Sequence, residues 1–174
     1  MKILLSTLAL ALLATPVVAS AQTANPVSDA LRQTVQHAAK NMVAAAQEMP
    51  ANKYSYRPTA KQMSFGQLML HVTGANAFMC SSISGKPRPQ MAKLTPQSPK
   101  DQLVAALKAS FQYCTDSLQG VTDAQLNDKV PFFGGRQVTR GAMILSAAGD
   151  WADHYGQAAT MLRLNGMLPP TARH

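Results

Sequence analysis

The chain has 174 residues and carries 16 Lys and Arg against 8 Asp and Glu, a formal net charge of +8. This length fits one domain with a buried core. The basic residues are scattered rather than grouped in a stripe with interleaved aromatic residues, which argues against nucleic-acid binding. Attraction to acidic polymers or other anionic partners stays open as a property of a basic protein.

The first 21 residues have the layout of a secretory signal peptide. Lys2 supplies a positive start, an apolar run follows over residues 3–13, and residues 18–21 contain an A-x-A cleavage site. The run is too short for a membrane span of ~20 residues, although an uncleaved anchor is the alternative. We expect cleavage after Ala21, one helical domain over residues 22–174, a periplasmic or secreted location, and no stable membrane insertion.

Four segments show apolar residues at spacings of three or four and lack β-branched runs, so the pattern predicts an all-α protein. The predicted helices cover residues 28–49, 64–83, 100–119 and 139–164, and Ser28, Ser64 and Thr139 are the predicted N-caps. The stretch 121–138 contains proline and glycine and is predicted to be a long loop with a short hairpin.

The connection between the second and third helices is long and contains four prolines within residues 85–99, so it is not helical throughout. About 15 extended residues span ~50 Å, enough to return along a whole helix. The second and third helices are therefore free to run parallel. This arrangement predicts a four-helix bundle with up-down-down-up order.

Asp150 and His154 lie one turn apart on the apolar stripe of the last helix. A carboxylate there is costly without a strong partner. His71, at the edge of the apolar face of the second helix, is a candidate neighbour. Two imidazoles and a carboxylate suit zinc, nickel, manganese or iron, and three protein ligands leave positions open for water or substrate. The alternative is a hydrogen-bonded Asp–His pair without metal.

Two segments of the chain resemble the DinB-like family, and together they bracket nearly all of the predicted domain. They contain Met49-Pro50, Lys53-Tyr54-Ser55-Tyr56-Arg57-Pro58, Ser64-Phe65-Gly66-Gln67-Leu68, His71-Val72, His154-Tyr155-Gly156-Gln157, Leu162-Arg163-Leu164-Asn165-Gly166 and Pro169-Pro170. The resemblance implies an up-down-down-up bundle and, as in many members, metal ligands from one His on the second helix and an H-x-x-x-H pair on the last. These positions are His71, Asp150 and His154, so that Asp150 replaces the first His of the pair.

The two cysteines, Cys80 and Cys114, lie at similar distances from the starts of the second and third helices. Parallel helices would bring their sulfur atoms to the same height and permit a disulfide, whereas antiparallel helices would separate them. The first alternative is that both cysteines stay reduced in the core. The second alternative is that one of them ligates the metal.

The resemblance implies metal-dependent chemistry such as hydrolysis, isomerisation or thiol transfer on a small-molecule substrate. Export disfavours thiol transfer, because the cytoplasmic pool of reduced thiols is absent outside. We expect an exported DinB-like protein with a divalent-metal site, acting as a hydrolase or transferase. The alternative is a non-catalytic bundle, structural or binding a small ligand, in which Asp150 and His154 form a metal-free polar pair. No organic cofactor is indicated, and the sequence is compatible with a homodimer.

Overall fold

The computed structural model describes residues 24–173, so the predicted signal peptide and its cleavage site lie outside the described part of the chain. The fold consists of four helices, α1 (Pro26–Glu48), α2 (Phe65–Ser84), α3 (Lys100–Ser117) and α4 (Arg140–Leu164). An antiparallel hairpin of β1 (Lys129–Pro131) and β2 (Gln137–Thr139) precedes α4. The all-α prediction is confirmed. None of these helices is long and apolar enough to cross a bilayer.

The helices α2 and α3 run parallel. Asn76 of α2 donates a hydrogen bond to Ser110 of α3, and one turn further along both helices Cys80 is joined to Cys114 by a disulfide. The two Cα atoms of this bridge are 5.2 Å apart, and both cysteines are fully buried. The long connection after α2 therefore returns along the whole bundle before α3 begins.

The other two helices run against this pair. Trp151 of α4 bonds to Asn76, whereas the later residue His154 stacks against the earlier residue His71, so α4 is antiparallel to α2. Arg32, near the start of α1, donates a hydrogen bond to the carbonyl oxygen of Leu118, just after the end of α3. The start of α1 therefore lies beside the end of α3, and the two helices are antiparallel. The order is up-down-down-up, as expected.

Two of the three predicted N-caps are correct. Ser64 and Gln67 form a reciprocal capping box, and Thr139 accepts the backbone N–H of Ala142. The prediction for Ser28 is wrong, because α1 begins two residues earlier at Pro26, a residue whose fixed φ suits the first turn. Ser28 instead lies buried in that turn and bonds to Asp123, far away in sequence.

The predicted apolar stripes form the core. Nearly all of their members are buried: Leu31, Val35, Met42, Ala45 and Met49 in or beside α1, Phe65, Leu68, Val72, Ala75 and Met79 in α2, Leu103, Leu107, Phe111, Cys114 and Leu118 in or beside α3, and Met143, Ala147, His154, Ala158 and Met161 in α4. The exceptions are Ala38 and Asp150, which are half-buried. The third helix ends at Ser117 rather than at Gln119, and a 3-10 turn covers Leu118–Gly120.

Candidate metal site

His154 is held on α4 with one ring nitrogen engaged. The residue is 8% exposed, and its Nδ1 lies 2.7 Å from the backbone carbonyl oxygen of Asp150. Because a carbonyl oxygen can only accept, Nδ1 carries the proton and Nε2 keeps a free lone pair. Histidines that bind metals usually donate their second N–H in this way, which fixes the tautomer and the orientation of the ring.

The carboxylate of Asp150 is incompletely satisfied. Its Oδ2 atom is buried and accepts no hydrogen bond from residues 24–173, and the nearby Nδ1 of His154 is 3.5 Å away. Burial raises the pKa of Asp150 above its ordinary value, although His154 and His71 act in the opposite direction and Asp153 adds to the rise. A buried carboxylate oxygen without a partner is costly, and a cation would relieve that cost.

His71 approaches this pair from α2. Its ring centroid is 4.6 Å from that of His154, with the planes inclined by 32°. One ligand atom from each of His71, Asp150 and His154 can be chosen so that all lie within 4.8 Å of one another. Tetrahedral ligands of zinc stand ~3.4 Å apart, so the three atoms need to approach one another by at most about 1.4 Å. The exposed side chain of His71 has the freedom to make this adjustment.

The donor set fits a divalent cation by its chemistry as well as its position. Neutral imidazole and carboxylate are ligands that zinc, nickel, manganese and iron all accept, and three protein ligands leave coordination positions free. The free lone pair of His154 and the unpartnered oxygen of Asp150 are the two features that a cation would complete. The buried cysteines are joined to each other and are not available as ligands.

Asp150 lies nearer the solvent than its place on the apolar stripe predicts. The inward face of α4 is centred on Trp151, which is 1% exposed, so Asp150 is turned toward the edge between α4 and α2. The site is therefore at the rim of the bundle, where one side of the triad is open. This position suits access by a small molecule better than a site on the bundle axis would.

A buried polar network lies beside the triad and was not predicted from the sequence. The Nε1–H of Trp151 donates to Oδ1 of Asn76 over 2.7 Å, and the Asn76 amide donates to Oγ of Ser110 over 3.0 Å. All three side chains are buried. Because Trp151 adjoins Asp150, these bonds fix how α4 is rotated at the triad. The signal in the sequence was an Asn four residues after Val72, on the apolar face of α2.

Comparison with known proteins identifies the family. The sequence model of the DinB superfamily matches residues 34–158, well over half of the chain. The chain belongs to the DinB superfamily. The match extends from the middle of α1 to the turn after His154, and includes all three residues of the triad.

Solved structures of other DinB-like proteins share the fold. A DinB-like protein from Bacillus subtilis matches with a TM-score of 0.65 at 20% identity, covering 82% of this chain and 99% of its own. A DinB-like protein from Bacillus cereus gives 0.66 at 15% identity, with coverages of 82% and 95%. A conserved protein from Enterococcus faecalis gives 0.63 at 21% identity, with coverages of 79% and 96%. No curated protein matches the sequence.

Proposed function

We propose that this DinB-superfamily protein binds one divalent metal ion through His71, Asp150 and His154 and uses it as a hydrolase or transferase on a small-molecule substrate. The observation that carries the proposal is that one ligand atom from each of the three residues lies within 4.8 Å of the other two, beside a buried Asp150 oxygen that accepts no hydrogen bond from the described residues. When bound, a divalent ion would supply Lewis acidity and lower the pKa of a coordinated water.

Each of the three proposed ligands has a separate role. His154, oriented by its bond to the Asp150 carbonyl, presents Nε2, and Asp150 supplies the negative charge that favours a cation. His71 completes the set from the opposite helix and, being exposed, is the ligand next to which a substrate would arrive. Zinc, nickel, manganese and iron are the candidate ions, because the set mixes imidazole nitrogen with carboxylate oxygen.

Metal analysis of purified, untagged protein tests the proposal. We expect one equivalent of metal, and a rise in melting temperature when Zn²⁺, Ni²⁺ or Mn²⁺ is added to chelator-treated protein, because a ligand that binds the folded state stabilises it. His71→Ala and His154→Ala should abolish both effects. His37→Ala is the matched control, since His37 is exposed on α1 and bonds only to Asn41 among the described side chains.

The metal proposal fails if the treated protein is not stabilised by any of these ions, or if His37→Ala removes binding as completely as His71→Ala does. Binding also depends on pH, because protons compete with the metal for both imidazoles. We expect the metal-induced stabilisation to weaken as the solution is acidified from neutral pH. An unchanged stabilisation under acid conditions would point to binding outside the triad.

The second candidate function is that of a metal-free bundle that binds an apolar small molecule. A cavity of about 490 Å³ lies between the connection after α2 and the face of α3. Its lining includes Met91 and Leu94 on one side and Ala105, Ala106 and Ala109 on the other, and it lies apart from the triad. Its volume is within the ~300–1,000 Å³ typical of ligand pockets.

A fluorescent apolar dye distinguishes the two candidates. Under the second candidate, the dye should bind the wild type with saturation and bind much more weakly to Ala106→Trp, which fills the cavity, while added metal changes nothing. Under the first candidate, the wild type binds metal and the Ala106→Trp variant still binds it. A dye signal that Ala106→Trp leaves intact would remove the second candidate.

A further inference from the structure

A stack of three aromatic rings with an arginine at each end lies at the end of the bundle where α2 ends and α4 begins. In spatial order it consists of Arg88, Phe78, Phe133, Phe132 and Arg136. The Arg88 guanidinium lies 4.4 Å from the centre of the Phe78 ring, and the Arg136 guanidinium lies 4.9 Å from that of Phe132. The ring centroids of Phe78 and Phe133 are 4.4 Å apart, and those of Phe133 and Phe132 are 5.2 Å apart.

The apolar centre of this aromatic–arginine stack reaches solvent. Phe133 lies at the tip of the hairpin and is 47% exposed. The next two residues, Gly134 and Gly135, have φ of 68° and 72°, a left-handed conformation that glycine adopts without strain, so the tip holds its shape. Phe132 and Phe78 support the exposed ring from both sides. The exposed aromatic ring is therefore part of a fixed surface rather than of a loose loop.

The two guanidinium groups at the ends of the stack are available for external anions. Within residues 24–173, neither Arg88 nor Arg136 forms an ion pair, and both are exposed. Lys129 on the same hairpin is exposed as well, and the neighbouring Asp128 is occupied by Arg140 at 3.2 Å. The Nε–H of Arg136 donates to the Phe133 carbonyl oxygen over 3.4 Å, and the remaining guanidinium N–H groups are suited to phosphate oxygens. Two exposed cations without an ion pair in residues 24–173 thus flank the aromatic rings, and a third, Lys129, lies at the base of the same hairpin.

The spacing of these groups favours a surface over a single small anion. Three aromatic rings separate the two guanidinium groups, so one small anion would not contact both. A partner that presents anions side by side, with an apolar layer beneath them, would satisfy both guanidinium groups and also cover Phe133. An anionic lipid bilayer has this chemistry. An acidic polymer would bind the arginines but has no apolar layer to cover the Phe133 ring.

We propose that the aromatic–arginine stack is a docking surface for anionic lipid bilayers, on which Phe133 enters the interface while Arg88, Arg136 and Lys129 contact lipid phosphates. This role is independent of the metal site, because none of its residues belongs to the triad. The Phe78–Phe133 contact holds the hairpin against α2, and the Arg88–Phe78 contact holds the connection after α2 there, so this packing gives the surface its fixed form.

Vesicle co-sedimentation tests the proposal. The protein is expressed from its full sequence with its own leader, and mass spectrometry establishes its N-terminus, so that all variants compared share the same one. We expect it to pellet with vesicles that mix phosphatidylglycerol with phosphatidylcholine, and not with phosphatidylcholine alone. Arg88→Gln and Arg136→Gln should each weaken binding about fivefold, and Phe133→Ser by a similar factor.

Matched controls come from the opposite end of the bundle. Arg163 and Leu168 are exposed there, Leu168 to 61%, so Arg163→Gln and Leu168→Ser remove the same chemistry from another surface and should leave binding unchanged. In a Phe133→Trp variant the new indole should shift its emission to shorter wavelength on anionic vesicles. The native Trp151 is buried and gives the baseline.

Three results would overturn the proposal. One is equal binding to neutral and anionic vesicles. Another is equal loss of binding in the Arg163→Gln or Leu168→Ser controls. The third is salt-sensitive binding to soluble polyphosphate together with no emission shift of Phe133→Trp on vesicles, which would identify the partner as an acidic polymer. Melting curves of all variants show that each one is folded.

Discussion

The indole N–H of Trp151 donates to the side-chain oxygen of Asn76 over 2.7 Å in the buried centre of the bundle. This bond joins α4 to α2 next to the triad. Trp151→Phe keeps an aromatic ring but removes the N–H donor and leaves a cavity beside the smaller side chain. The unsatisfied Asn76 oxygen alone should lower the free energy of unfolding by about 1–3 kcal/mol, and the cavity adds to this loss. Urea denaturation measures this loss in the free energy of unfolding.

The same substitution should also weaken metal binding, by about 10- to 100-fold if Trp151 positions Asp150 as an outer-shell partner does. Isothermal titration on protein that is still fully folded measures this effect. Ser110→Ala is the control, because it removes the other bond of Asn76 without touching α4. Equal loss of metal affinity in both variants would show a general loss of stability instead.

Asp150 is the position at which this chain departs from the H-x-x-x-H pair that its family resemblance implies. Asp150→His should retain metal binding and shift preference from Mn²⁺ toward Zn²⁺ and Ni²⁺, because nitrogen is the softer donor. Asp150→Asn keeps the shape but removes the charge and should bind all three ions more weakly. Competition with chelators gives the order of affinities. An identical order in wild type and Asp150→His would show that residue 150 is not a ligand.

The Cys80–Cys114 bridge closes a loop across the connection between α2 and α3. Its reduction, or the double substitution Cys80→Ser/Cys114→Ser, should lower the free energy of unfolding by roughly 3–4 kcal/mol, because the unfolded chain gains freedom. Urea denaturation with and without reductant measures the loss. The double variant should no longer respond to reductant. A wild type that is equally insensitive would mean that the bridge does not form in solution.

Asp123 caps α1 from a distant turn. Its carboxylate accepts the backbone N–H groups of Val27 and Ser28 and the Ser28 hydroxyl at 2.7–3.0 Å. Burial acts to raise the pKa of Asp123, but these hydrogen bonds and the charge of Arg32 outweigh it, so the pKa is lowered. The stabilisation is therefore present above the unfolded-state pKa of about 3.9 and is lost as the pH falls through the lower folded-state pKa.

Asp123→Asn should therefore melt a few degrees below the wild type at neutral pH, and the difference should disappear in strong acid. Calorimetry across the pH range measures both melting temperatures. Asp116→Asn is a suitable control, since Asp116 lies on the surface of α3 and its carboxylate accepts only from Gln112 among the side chains described. A difference between wild type and Asp123→Asn that does not vary with pH would contradict the capping role.

Gly66, in the first turn of α2, lies against backbone on two sides. A Cβ added there would lie 2.6 Å from the carbonyl oxygen of Pro96 and 3.3 Å from that of Tyr54. Gly66→Ala should therefore destabilise the fold by about 1–3 kcal/mol. At Gly74, in the same helix, no described atom beyond the local helix backbone lies within 4 Å of the added Cβ, and Gly74→Ala should stabilise the fold by about 0.5–1 kcal/mol. Equal effects of the two in urea denaturation would contradict this account of Gly66.

The sequence by itself determined the features that depend on neighbours along the chain. Helical periodicity predicted four helices and their inward faces, and the capping chemistry of Ser64 and Thr139 predicted two helix starts. The spacing of Asp150 and His154 by one turn singled out the pair at the triad. These patterns are readable because residues three or four apart on a helix share a face whatever the helix packs against.

Only the tertiary structure decided the features that join distant residues. The long connection already predicted that α3 runs parallel to α2, but whether Cys80 and Cys114 bond or stay reduced was decided only by the packing that brings their Cα atoms to 5.2 Å. Ser28 looked like an N-cap, but a carboxylate 95 residues away took over that role. The rotation of α4 that turns Asp150 toward the rim depends on the buried Trp151–Asn76 bond. Such contacts cross between helices, so no local spacing in the sequence encodes them.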